Sequence, residues 1–136
     1  RKGSGLPYIH HPMAVANMVA EFGGDDIQQI AAVLHDVIED GGPEYAREIQ
    51  TEFGPEVLQI VLDCTDSIPG ADGRKAPWRQ RKQQYLATLP EKKARSLLVV
   101  ACDKLFNARA INADLRTSGL EVFDRFAGKL EGTLWY

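Results

Sequence analysis

Ala31-Ala-Val-Leu-His-Asp-Val-Ile-Glu-Asp40 is the stretch from which the fold can be read, because apolar residues at helical spacing are interrupted there by four groups able to bind a cation or move a proton. Ile27, Ile30, Ala31, Leu34, Val37 and Ile38 form one stripe of a helix expected to run to about Asp40, and His35 lies at its edge. Residues four apart on a helix differ by only about 40° around its axis, so His35 stacks over Glu39 and Asp36 over Asp40. One helix end would then carry an imidazole and three carboxyls facing a crevice. The plain alternative is a helix closed by acids for solubility, although acids near a C-terminus oppose the helix dipole.

Working outward, the flanking segments also read as helices. Pro12 suits a first helical turn, and Val15, Met18, Val19 and Phe22 continue an apolar face until Gly23-Gly24 stops it. His11, one turn before Val15, faces inward, whereas His10 points elsewhere and reads as a surface residue or one that supports the site from behind. Asp25 or Asp26 can cap the second helix, and Gly41-Gly42 ends it. Pro43 opens a third helix carrying Tyr45, Ile49 and Phe53, and Pro55 a fourth with Val57, Ile60, Val61 and Cys64 buried. Residues 66–76, with Pro69, Gly70 and Gly73, read as a loop. Further helices are expected from Pro77 to about Leu89 and from Glu91 to about Leu115, with a shorter one around Val122, Phe123 and Phe126 and the start of another at Thr133. No alternating strand pattern and no repeat occurs. The class is therefore all-α, one domain over residues 1–136 built from about six to eight helices.

Composition limits the function. A 44% hydrophobic, 26% charged chain of 136 residues supports an ordinary packed core, and 16 Lys and Arg against 19 Asp and Glu leave a net charge of −3, which argues against a dedicated nucleic-acid binder. No apolar run is long enough to span a bilayer, and no signal peptide is visible, so a cytoplasmic protein with no membrane partner is expected. Cys64 and Cys102 sit in apolar surroundings and read as reduced core thiols. Oligomeric state is not legible, which leaves a homo-oligomer open.

The apolar run Leu97-Leu-Val-Val-Ala-Cys102 is followed at once by Asp103, and an acid so placed is expected to be buried. A lone buried carboxylate costs several kcal/mol unless it is neutral, paired or bound to a metal. Lys104 points about 100° away around the helix and is expected to be a poor partner, while Asn107 and Ala110 share the Asp103 face. A structural acid bonded to a backbone donor is the alternative. Together, His11, His35, Asp36 and Asp103 form a complete N/O cage from three inward-facing positions, suited to Mn²⁺, Fe²⁺ or Zn²⁺. With only three histidines in the chain, a histidine-rich two-metal site is hard to build. Arg74, Lys75, Arg79, Arg81 and Lys82 put five cations into nine residues without an acid, either a phosphate-binding helix or a solvated face.

Pro7-Tyr-Ile-His-His-Pro12, Leu34-His-Asp-Val-Ile-Glu-Asp40, Phe53-Gly54 with Val57, and Ala101-Cys-Asp-Lys-Leu-Phe-Asn-Ala-Arg109 together resemble the HD-domain alarmone hydrolases, specifically the hydrolase domain of bifunctional guanosine tetraphosphate synthetase/hydrolases in a small stand-alone form. The resemblance covers nearly the whole chain. It implies an all-helical HD-domain bundle and one Mn²⁺, other divalent cations remaining open, that assists removal of pyrophosphate from the 3′ position of (p)ppGpp. It also implies His11, His35, Asp36 and Asp103 as ligands, with Glu39 and Asp40 as the acidic pair that positions and deprotonates the attacking water. Lys2, Arg81, Lys82 and Asn107 would contact the small-molecule nucleotide. The alternatives are an HD phosphohydrolase acting on another small nucleotide or phosphoester, and a non-catalytic nucleotide-sensing HD module.

Overall fold

The structure is a computed structural model that describes residues 7–68 and 74–136, so Lys2 and the loop residues Pro69, Gly70 and Gly73 lie outside the described residues. Helices α1 (His10–Glu21), α2 (Asp26–Leu34), α3 (Tyr45–Phe53), α4 (Pro55–Cys64), α5 (Trp78–Thr88), α6 (Ala94–Ser118) and α7 (Lys129–Trp135) account for most of it, and no strand occurs among the described residues.

The centre is α2, which packs against α1, α4 and α6. Ala31 and Ala32 are fully buried on it, and their small side chains let Val15, Val19, Ile60, Val61 and Val99 close around them. Its start is set by Asp25, whose carboxylate accepts the Gln28 N–H at 3.0 Å while the Gln28 amide oxygen accepts the Asp25 N–H at 3.1 Å. Gln28 then donates to the Arg95 carbonyl at 3.0 Å, tying α2 to α6. Just before this cap the chain turns so closely over α1 that a Cβ on Gly24 would come 2.9 Å from the Val19 carbonyl oxygen. Gly54, at φ +88°, makes the corner between α3 and α4, and Pro55 opens α4 where no N–H is needed.

Several expectations are corrected. The helix read as running to Asp40 ends at Leu34, and after His35 and Asp36 a π-helical turn occupies Val37–Gly41. An inserted π turn changes the facing of the residues that follow, so the regular stacking of His35 over Glu39 does not apply. Ile30, placed in the buried stripe, is 37% exposed, and Phe22, Tyr45 and Phe53 are also exposed, leaving Ile49 to anchor α3. Pro90 lies in a short 3₁₀ turn, Leu89–Glu91, so α6 begins at Ala94 rather than Glu91. The segment around Val122 and Phe123 is 3₁₀ (Gly119–Arg125) rather than α-helical, and the last helix begins at Lys129 rather than Thr133.

Candidate metal centre

Three elements bring four side chains to one point. His11 comes from the first turn of α1, His35 and Asp36 from the break after α2, and Asp103 from the middle of α6. His11, His35 and Asp103 are buried, at 8%, 2% and 6% exposure. His11 Nε2 lies 3.3 Å from His35 Nε2, 3.3 Å from Asp103 Oδ1 and 3.7 Å from Asp36 Oδ2. His35 Nε2 lies 3.3 Å from Asp36 Oδ1 and 3.6 Å from Asp103 Oδ1. Donors at about 2.1 Å from one ion stand roughly 3.0–3.4 Å apart in octahedral or tetrahedral arrangements, so the 3.3 Å separations suit a single divalent cation and those of 3.6 and 3.7 Å need only a small closure onto it. His11, His35 and Asp103 each offer a donor to one common point, whereas Asp36, expected as a fourth ligand, stands outside that group and turns a different oxygen to each imidazole.

Local contacts orient these groups. His35 Nδ1 donates to the Ala32 carbonyl at 2.7 Å, which leaves Nε2 free to act as a ligand. The Phe106 ring packs 5.2 Å from the His11 ring. Asp36 accepts a hydrogen bond from the Tyr8 hydroxyl. Asp103 Oδ1 also accepts from Asn107 Nδ2 at 2.7 Å, and its Oδ2 accepts from Lys104 Nζ at 2.7 Å. The sequence expectation for Lys104 fails because its four-carbon stem curls back across the 100° between neighbouring helix positions.

The electrostatics ask for positive charge. Burial opposes ionisation of Asp103, but hydrogen bonds from His11 and His35 and the Lys104 charge outweigh it and hold the carboxyl well below the usual range. Burial likewise disfavours a charged His35, yet its bonds to Asp103 and Asp36 and their charges push it up to about 10. The two carboxylates thus keep a proton on the cluster when no other cation serves. A divalent cation would compensate the same charges while taking the imidazole lone pairs, so the residues present fit one.

Glu39 and Asp40 have different neighbours. Glu39 Oε2 accepts the Asp66 N–H at 3.4 Å, and Lys75 Nζ donates to the Glu39 carbonyl oxygen at 2.8 Å. Burial and the neighbouring Asp66 charge raise the Glu39 carboxyl above its ordinary value, against the pull of Lys82 and Lys75. Asp40 is exposed, close enough for its charge to reach Tyr8. Of the basic stretch, Arg81 and Lys82 do not form an open cationic face. Both pair with Asp66, and only 14% and 15% of their side-chain surface is exposed. Arg79 instead lies over the Trp135 ring at 4.4 Å.

Beside Asp103 a cavity of about 530 Å³ opens between α5, α6 and the C-terminal segment, with Lys82, Lys104, Asn107, Arg125, Tyr85 and Tyr136 among its walls. Asn107 therefore touches both the cluster and the cavity. Tyr8, Asp66 and Lys104 were missed as site residues. Tyr8 stands inside the quoted Pro7–Pro12 motif, and Asp66 is the acid immediately ahead of five cations, but neither signal names a partner in sequence.

A profile of the HD domain family matches residues 1–133. The chain belongs to the HD-domain family. It is 34% identical over 110 residues to mouse guanosine-3′,5′-bis(diphosphate) 3′-pyrophosphohydrolase MESH1, a match spanning 79% of this chain and 58% of the mouse protein. To the bifunctional (p)ppGpp synthase/hydrolase SpoT of Escherichia coli K12 it is 32% identical over 114 residues, 82% of this chain and 16% of SpoT. The HD domain here thus spans little over half the length of the stand-alone mouse relative. The crystal structure of lmo0812 from Listeria monocytogenes EGD-e shares the fold, with a TM-score of 0.76 and 24% identity over 98% of this chain and 79% of the Listeria chain.

Proposed function

We propose that this HD domain is a metal-dependent phosphohydrolase, acting as a guanosine-3′,5′-bis(diphosphate) 3′-pyrophosphohydrolase that releases pyrophosphate from (p)ppGpp. The observation that carries the reading is the meeting of His11, His35 and Asp103, with both imidazoles also 3.3–3.7 Å from Asp36, beside a cavity walled by Lys82, Lys104 and Arg125. The names of the mouse and E. coli relatives agree with it.

His11, His35, Asp36 and Asp103 would hold one divalent ion, with Mn²⁺ the occupant suited to a mixed imidazole and carboxylate set. When bound, such an ion supplies Lewis-acid activation of water and compensates charge developing at phosphorus. Glu39, with its raised affinity for a proton, takes the proton from the attacking water, and Asp40 helps to orient that water. Lys104 and Asn107 brace Asp103, and the cavity cations receive the phosphates. Lys2 belongs to the same proposed nucleotide contacts. The two free thiols, Cys64 and Cys102, fit a reducing cytoplasm, where such an activity would lower the alarmone of the stringent response.

The test is turnover of (p)ppGpp by the Mn²⁺-loaded protein, with GDP or GTP and pyrophosphate as the expected products. Rapid hydrolysis of a nucleoside monophosphate and none of (p)ppGpp would overturn the substrate assignment.

A further inference from the structure

Asp66 follows the end of α4, and 3% of its side chain is exposed. Its Oδ1 is 2.7 Å from Arg81 Nη1, and its Oδ2 accepts a hydrogen bond from Lys82 Nζ. Arg81 is fixed further by donating through Nε to the Ala76 carbonyl at 3.1 Å. The backbone N–H of Asp66 points the other way, to Glu39 Oε2 at 3.4 Å. One residue thus meets the acidic flank of the metal centre through its main chain and the basic helix through its side chain.

A carboxylate this deeply buried needs compensation, and two cations supply it with one positive charge left over. Lys82 carries that surplus to the cavity wall, where it also lies 4.8 Å from the Tyr136 ring centroid. Without Asp66, both cations would lose their anchor and could relax toward solvent, which long flexible side chains favour entropically. The opposite effect is also physically available, since an internal carboxylate competes with phosphate for the same N–H donors. Burial decides between them: the cations are held in place by a carboxylate whose side chain is only 3% exposed, and the cavity still lies open to Lys82.

We infer that Asp66 is a positioning residue that, with Arg81 as its second partner, holds Lys82 at the cavity wall as part of a preformed seat for a diphosphate group. The inference rests on the phosphohydrolase reading for the role of the seat. Its test is calorimetric binding of pyrophosphate to the full chain saturated with Mn²⁺. Asp66→Asn should weaken pyrophosphate binding about tenfold or more, the scale of one charge-assisted hydrogen bond, with Mn²⁺ affinity unchanged. In a Lys82→Met background the same substitution should change binding much less, because Asp66 acts through Lys82. Should Asp66→Asn fail to fold, Asp66→Glu carries the test: its charge sits one methylene further out, and pyrophosphate binding should again fall. Asp66 variants that bind pyrophosphate as tightly as the unsubstituted protein, or more tightly, would overturn the inference and mark Asp66 as a structural or competing acid. Fully additive effects of Asp66→Asn and Lys82→Met would overturn it too. Pyrophosphate binding without turnover of (p)ppGpp would count against the hydrolase reading alone, and no pyrophosphate binding by the unsubstituted protein would count against both.

Discussion

The Nδ1 proton of His35 is held by the Ala32 carbonyl at 2.7 Å, and this contact decides which ring nitrogen faces Asp103. The carbonyl belongs to the last full turn of α2, whose register is set by the Asp25 and Gln28 cap. Helix capping at Asp25, ten residues before His35, therefore helps to aim a ligand atom.

Asp103→Asn should weaken Mn²⁺ binding by roughly 100-fold, since it removes the charge that both imidazoles share and leaves a poorer donor. Titration calorimetry at neutral pH reads this directly. An affinity within a few-fold of the unsubstituted protein would take Asp103 out of the ligand set.

Tyr8→Phe removes the hydroxyl that holds Asp36 while keeping the ring near His11. Mn²⁺ affinity should fall about tenfold, as is usual when a partner behind a ligand is lost. Thermal stability should move little because Tyr8 is 48% exposed. A large loss of melting temperature with unchanged Mn²⁺ affinity would assign Tyr8 to packing instead.

Glu39→Gln combined with Asp40→Asn should reduce hydrolysis by on the order of 10²- to 10⁴-fold and leave Mn²⁺ binding intact, the signature of lost general-base help. Loss of the metal in this double variant would contradict the division between ligands and proton acceptors.

The acid limb of kcat/KM should lie above the ordinary carboxylate range, because burial and the Asp66 charge raise the Glu39 carboxyl. The sign follows from its role: a base must be deprotonated, so activity falls as pH drops through that raised value. Asp66→Asn removes a like charge and should move the limb to lower pH, whereas a structural defect would lower the plateau without moving it. A pH–rate profile of both proteins distinguishes these outcomes.

The all-α class, the approximate helix positions and the inward orientation of His11, His35 and Asp103 were legible in the sequence. Apolar spacing, Gly and Pro stops and an acid set in an apolar run are local signals, and burial follows from them directly. The convergence of those residues was less accessible, because it depends on how α1, α2 and α6 cross, and packing fixes that rather than periodicity. The π turn at Val37–Gly41 illustrates the difference. Its residues read as ordinary helix, yet tertiary contacts widen the turn, sending Glu39 toward Asp66 and leaving Asp40 exposed.

Composition and spacing alone determined that this chain makes helices with a buried set of imidazole and carboxylate donors and a clustered run of cations. Only the tertiary structure decided what those charges face. Lys104 reaches Asp103 although helix geometry sets the two about 100° apart, and Arg81 and Lys82 turn to an acid fifteen and sixteen residues away rather than to solvent. The reason is physical: the hydrophobic pattern fixes which faces are buried within one element, whereas long charged side chains choose partners by distances across elements, which no single helix encodes.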